Sequence, residues 1–160
     1  MIDYTGHSLR DFCLSLASDN PVPGGGSVSA YVAALGVSLL KKTLVFTLKK
    51  QVDDQTRKEV SQVLVEVDEL LQEFLQLVNE DSIIFMGCLD NRSVPFNERF
   101  APAREVAQKI CDLCQKAYKV HAKGSYLYNK SMRSDYEAAQ RLIDAAFRIS
   151  WENAHYGEED

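Results

Sequence analysis

Basic residues are the first thing this chain is short of. Eighteen Lys and Arg stand against 23 Asp and Glu, a net charge of -5, whereas a domain that holds nucleic acid by general electrostatics carries a basic face. No nucleic-acid partner is expected, and the pairs Lys41-Lys42 and Lys49-Lys50 read as solvated helix ends. Sustained alternation of apolar and polar residues is also missing, which excludes half-buried strands. No apolar run reads as a bilayer span, and the N-terminus lacks the apolar centre of a secretory signal, so a cytoplasmic protein with no membrane partner is expected. Cysteine is sparse: Cys13, Cys88, Cys111 and Cys114 are expected to stay reduced. Cys111-x-x-Cys114 has no further ligands at zinc-site spacing and falls inside a helical stretch. The pair therefore reads as small buried residues, and no metal is expected. His7, His121 and His155 show no triad or metal spacing. Finally, there is no G-x-x-x-x-G-K-[ST], and Gly24-x-Gly26 lacks both the third glycine and the preceding strand of a dinucleotide site. Phosphate-loop and Rossmann readings drop out.

What is present is a helical period from end to end. With 46% hydrophobic residues in 160, one core and one domain over 1–160 are expected, built as an all-α antiparallel bundle of about five helices. Leu9, Phe12, Cys13 and Leu16 mark a short first helix, ended by the stretch from Asp19 to Pro23. A second runs from Gly25 or Gly26 to about Lys50, with Val28, Val32, Leu35, Leu39 and Phe46 along one side and Ala30, Ala33, Ala34, Gly36 and Ser38 allowing close approach. A third, from about Asp54 to Leu89, carries a stripe in steps of four and three: Val60, Leu64, Val67, Leu71, Phe74, Val78, Asp81, Phe85 and Cys88. Asn91 to Asn97 reads as a loop. Pro102 suits the first turn of a fourth helix reaching about Tyr128, and Ser134-Asp135-Tyr136-Glu137 reads as a capping box that opens the fifth. That last helix turns Ala139, Leu142, Ile143, Ala146, Ile149 and Asn153 inward, and the tail Glu158-Glu159-Asp160 is expected to fray. Apolar stripes on long helices, beside a small-residue helix that one layer cannot cover, predict a homodimer.

Two features point to a site. Asn20-Pro21-Val22-Pro23-Gly24-Gly25-Gly26-Ser27 leads straight into the second helix. Its prolines fix the path of the chain, and its glycines let a group approach unpaired helix N–H donors, which suits an anionic or carbonyl-bearing ligand. A turn that simply joins two helices explains it equally well. Asp81 occupies a stripe position where an unpaired buried carboxylate is costly. A cap or salt bridge from another helix, an acid facing a cleft, and plain exposure all stay open. Ser134 is accounted for by a cap and Asp135 by the helix dipole, while Asn153 is an inward amide in need of partners.

Pro21-Val22-Pro23-Gly24-Gly25-Gly26-Ser27-Val28, Thr47-Leu48-Lys49-Lys50, Asp81 with Phe85, Ser134-Asp135 with Ala138, and Ala145-Ala146 before Asn153 occur in this order. In that set the chain resembles the cyclodeaminase/cyclohydrolase family over nearly its whole length. The resemblance implies an all-helical homodimer whose cleft takes a tetrahydrofolate derivative as substrate, with no metal. It implies Asp81 as the catalytic group. Pro23, Gly24, Gly25, Gly26, Ser27, Ser134, Asp135 and Asn153 would bind substrate, and Lys49 or Lys50 would meet its carboxylate tail. Methenyltetrahydrofolate cyclohydrolase is the expected activity, because no formimidoyltransferase partner stands in the same chain; formimidoyltetrahydrofolate cyclodeaminase is the alternative. The chain departs from the family at Gly157, where a second Asn is usual, and at Lys119-Val120-His121, where a Val-Pro is usual. A noncatalytic folate-binding or helical interaction protein of the same fold is therefore the other class.

Overall fold

A computed structural model describes residues 2–156; the readings for Gly157 and for the tail Glu158-Glu159-Asp160 lie outside the described residues. These residues are helical with no strand among them: α1 (Leu9–Leu16), α2 (Gly25–Leu48), α3 (Asp54–Asp90), α4 (Phe96–Arg99), α5 (Ala101–Gly124), a 3-10 turn (Lys130–Met132) and α6 (Arg133–Ala154). The four long helices form a ring in which α2 packs on α3, α3 on α5, α5 on α6 and α6 back on α2, with α2 and α5 diagonal. Short connections make such neighbours antiparallel.

The core is a continuous cluster drawn from every long helix. On α3 the stripe goes inward as its spacing predicts: Val60, Val67, Phe74 and Val78 are buried, joined by Val63, Leu70 and Leu77 as a straight helix drifts against a strict heptad. On α5, Val106, Ile110, Leu113, Ala117 and Val120 are all buried, as are Cys111 and Cys114. Burial pushes the Cys111 thiol up to about 11 and Cys114 to about 12, so neither has thiolate character near neutral pH.

The helix α2 differs from its sequence reading in one respect. Its deep face is Ala30, Ala33, Ala34, Val37, Leu40 and Leu44; the side with Val28, Val32, Leu35, Leu39 and Phe46 is only partly covered, and Leu35 and Phe46 are exposed. Small residues win the inner position because the neighbouring backbone comes so close. A Cβ on Gly36 would lie 2.9 Å from Ile143 Cγ1 and 3.0 Å from the Ala139 carbonyl oxygen on α6. A second correction concerns membranes. At 24 residues α2 is long and apolar enough by composition to cross a bilayer, contrary to the sequence reading, although here it is packed between α3 and α6.

Other boundaries shift for local reasons. The loop read at Asn91 to Asn97 gives way to α4 at Phe96, and α5, expected from the sequence as a fourth helix, stops at Gly124 rather than near Tyr128. On α1 only Phe12 is buried, while Leu9, Cys13 and Leu16 are exposed. The capping box is absent. The 3-10 turn runs directly into α6, so Ser134 falls within the first turn, no side chain caps that end, and Glu137 pairs with Arg133 Nε at 2.6 Å instead of reaching back. The capping side chain in this region is Asn129, which accepts from the Ser131 N–H at 3.1 Å.

Candidate functional site

The glycine loop leaves α2 without a cap of its own. Gly24 holds the N-cap position and has no side chain to offer the first N–H groups. The missing acceptor comes from α3. Asp81 Oδ2 takes the Ser27 hydroxyl, in the first turn of α2, at 2.8 Å. Asp81 thus caps the first turn of α2 from another helix through the Ser27 hydroxyl, and the positive end of α2 helps a carboxylate to stand on the apolar stripe. Gly26 is the residue that permits this. A Cβ there would sit 2.5 Å from Asp81 Cγ and closer still to Oδ1, so only glycine leaves the carboxylate its place.

Burial nevertheless outweighs these bonds and pushes the Asp81 carboxyl above its usual range. Its exposed side forms part of the wall of a cavity of roughly 380 Å³, a size that suits a small-molecule ligand. The loop residues Gly24, Gly25 and Gly26 form one side of it, and Asn153 of α6 forms another. An aromatic wall of Phe85, Phe96 and Phe100 faces them, with ring centroids 5.5 Å apart for Phe85 and Phe100 and 4.7 Å for Phe96 and Phe100. Arg104 supplies the cation of the wall, its Nη2 held by the Asn97 carbonyl. The Val22-Pro23 peptide leading into the glycines is cis.

The sequence-derived site residues divide into two groups. Asp81, Gly24, Gly25, Gly26 and Asn153 come together on this cavity. Pro23 and Ser27 do not reach it, being buried behind the loop, with Ser27 acting through Asp81. Lys49 and Lys50 stand at the opposite end of α2, about 35 Å away along a 24-residue helix, and Asp135, with Ser134 before it, lies beside Lys42, about 25 Å along it. There Lys49 covers the Phe46 ring at 4.4 Å, Lys50 donates to Asn129 Oδ1 at 3.0 Å, and Asp135 pairs with Lys42 at 2.8 Å. Within one chain they cannot share a ligand with Asp81. Phe96, Phe100, Arg104 and Tyr156 line the cavity without having been singled out. The i, i+4 pair Phe96 and Phe100 just before the Pro102 helix start was the available signal; nothing marked Arg104 or Tyr156.

A family model described as formiminotransferase-cyclodeaminase matches residues 8–156, and this match decides the family. The chain belongs to the formiminotransferase-cyclodeaminase family. Among curated relatives, the formimidoyltransferase-cyclodeaminase of Mus musculus is 24% identical over 150 residues, and that of Rattus norvegicus likewise. In both cases the match takes in 86% of this chain and 28% of the relative, so the chain spans just over a quarter of those proteins. Among solved structures, a formiminotetrahydrofolate cyclodeaminase from Thermotoga maritima superposes with a TM-score of 0.89 at 22% identity, over 97% of this chain and 80% of that one. That likeness establishes the fold: a bundle of the formiminotransferase-cyclodeaminase kind, with the glycine loop and Asp81 meeting at one end.

Proposed function

We propose that the protein is a folate one-carbon enzyme, acting on a C–N bond at the carbon that bridges N5 and N10 of tetrahydrofolate. The observation that carries this is the Asp81 carboxylate: pushed toward neutrality by burial, fixed by Ser27, and set in a cavity with an aromatic wall. In methenyltetrahydrofolate the bridging carbon belongs to a cationic amidinium. A carboxylate beside it holds the cation and accepts a proton from attacking water, which is the work of a general base with a raised pKa. The aromatic wall suits the flat pterin and benzoyl rings, and Asn153 offers both a donor and an acceptor to the pterin edge.

The cyclohydrolase reaction, methenyltetrahydrofolate and water to 10-formyltetrahydrofolate, uses this arrangement directly. The cyclodeaminase reaction uses the same carboxylate to shuttle a proton as N10 attacks the formimidoyl carbon and ammonia leaves. The names of the relatives favour the second reading. A spectroscopic assay with methenyltetrahydrofolate beside formimidoyltetrahydrofolate tests both. Turnover of either supports a folate enzyme and tells which reaction it runs. Binding without turnover would leave a folate-binding protein, and no binding at all would leave an interaction protein of the same fold.

A homodimer completes the reading. Val28, Val32, Leu35, Leu39, Lys42, Phe46 and Lys49 step by four and three along the outer side of α2, none of them fully buried. Pairing two such stripes in parallel would set Lys42 against Lys42 and Lys49 against Lys49. Antiparallel pairing about Leu39 instead brings Lys49 and Lys50 of one copy beside the glycine loop of the other, where a folate carboxylate tail can use them. Light scattering on the wild type and on Leu35→Glu tests this. A wild-type monomer at micromolar concentration would remove both the dimer and the two lysines from the site.

A further inference from the structure

Serine inside a helix commonly hands its hydroxyl hydrogen back to a carbonyl of its own turn, and three here do so: Ser29 to Gly26 at 2.7 Å, Ser38 to Ala34 at 2.8 Å and Ser61 to Arg57 at 2.9 Å. Ser82 differs. It follows Asp81 on α3 and is fully buried, and its hydroxyl bond crosses to α2, where the Ser27 oxygen lies 2.8 Å away. A buried hydroxyl is costly without a partner, and alanine would be the better helix former at this position. The bond to Ser27 offsets that cost.

The direction of that bond follows from Asp81. An ionised carboxylate only accepts, and Ser27 gives its one hydrogen to Asp81 Oδ2 at 2.8 Å. Ser82 is therefore the donor to Ser27 whenever Asp81 is ionised. Two hydroxyls then point in line toward the charge, and a donor that is itself accepting a hydrogen bond holds an anion more strongly. Protonation of Asp81 takes the charge away, and the line loses its charge-assisted strength. Ser82 thus favours the ionised carboxylate, against burial, which pushes the same group up. Among the described residues, the other charged or titratable groups on this cavity are Arg104 of α5 and Tyr156 beyond α6, while α2 brings Gly26 and Ser27 to the carboxylate.

A second serine pair gives the comparison. Ser150 of α6 and Ser29 of α2 are fully buried too, with Ser150 donating to Ser29 at 2.8 Å. That line ends on the Gly26 carbonyl, which carries no titrating proton. Both pairs brace the start of α2, and only the first ends on a carboxylate. We propose that Ser82 is a positioning residue for Asp81: it turns the Ser27 hydroxyl onto the carboxylate and thereby sets the pH at which Asp81 takes up a proton. The use made of that proton rests on the folate-enzyme reading above, in which the carboxylate first takes a proton from water or from N10.

The test is an NMR titration of the Asp81 carboxyl, beside kcat against pH, for wild type, Ser82→Ala, Ser27→Ala, the double variant and Ser150→Ala. Ser27→Ala, which removes the charge-assisted bond, should move the Asp81 titration up by about one pH unit or more. Ser82→Ala should move it up by about half a unit, so kcat on the acid limb falls about threefold while the plateau stays. In the Ser27→Ala background Ser82→Ala should add nothing, and Ser150→Ala should leave the titration in place even if it lowers Tm. Ser82→Cys fills the same space with a weak donor, and its titration should move up as well, which supplies the result if Ser82→Ala does not fold. No shift in a folded Ser82 variant would overturn the proposal, as would an equal shift in Ser150→Ala or a shift that survives the loss of Ser27. A wild type inactive on both folates would overturn the folate reading alone, since the NMR titration still gives the answer for Ser82.

Discussion

Gly26→Ala is the smallest change that separates the position of the Asp81 carboxylate from its chemistry. The added methyl would lie 2.5 Å from Asp81 Cγ, whereas ordinary contact begins near 3.4 Å. The neighbour on that side is a carboxylate held by Ser27, not the free end of a long chain, so it must retreat by about 1 Å. Such a shift weakens the Ser27 bond to a charged group, worth about 1.5–3 kcal/mol, while alanine returns up to about 1 kcal/mol of helix propensity. The net loss is about 1 kcal/mol, which lowers Tm by about 2–4 °C in a chain of this size. Misplacing a reacting group by 1 Å costs about a hundredfold in rate, so kcat per folded molecule should fall about that much while Asp81 itself is intact. Gly87→Ala is the control. It lies on α3 with Asp81, a Cβ there meets nothing within 4 Å, and it should leave turnover alone and keep or raise Tm. Melts and steady-state rates on the same samples give the answer. A Gly26→Ala protein that melts lower yet turns over at the wild-type rate would refute the claim that this carboxylate does the chemistry.

Asp81→Asn should keep the cap, since an amide oxygen accepts from Ser27 as well, and should lower turnover about a hundredfold. Because burial raises the Asp81 pKa in the folded chain, the folded state holds that proton at a higher pH than the unfolded chain does. Wild-type stability therefore falls as pH rises from the ordinary carboxylate range through the raised value, so the Tm advantage of Asp81→Asn should be positive at neutral pH and shrink in acid. A variant melting below wild type at neutral pH would point to a salt bridge instead. Gly36→Ala should destabilise by about 1–3 kcal/mol, because its Cβ would press on the α6 backbone, which cannot yield; an unchanged denaturant midpoint would show that α2 and α6 separate freely. Arg104→Gln, which removes the cation of the cavity wall, should raise KM for either folate about tenfold with little change in kcat, and an effect confined to kcat would move Arg104 out of ground-state binding. One thiol, exposed Cys13, should react fast with a disulfide reagent at neutral pH, and buried Cys88, Cys111 and Cys114 slowly; two fast thiols would contradict the packing.

The bundle was legible because its long helices have faces of contrasting character. The α3 and α5 stripes each alternate with charged residues, so spacing alone points them inward, and the structure buries them there. The helix α2 is apolar all round, and a period cannot orient such a helix. Its larger side chains looked like the core side, but the close approach at Gly36 to Ile143 hands that position to the alanines. Ser134 misled in the opposite way. A Ser with Glu three positions on is a cap signal in an isolated helix, but the 3-10 turn just before α6 leaves no helix start at Ser134 to cap.

The site was legible only where a residue broke a local rule. Asp81 breaks the α3 stripe and Gly24 leaves α2 uncapped, and neither anomaly can be resolved from its own helix. Set together they answer each other, the carboxylate supplying the cap and the glycines supplying the room. The competing readings of Asp81, cap or acid, then turn out not to compete. Capping fixes the carboxylate in direction, burial lifts its pKa, and the side turned away from Ser27 stays open to the cavity. A carboxylate with that combination suits the proton transfer to a bound ligand proposed for it. Phe96, Phe100 and Arg104 broke no rule, since aromatics and an arginine near a helix start are ordinary surface residues. Their place on the cavity depends on Phe100, at the end of α4, packing against Phe85 of α3, a tertiary fact that no period in the sequence encodes.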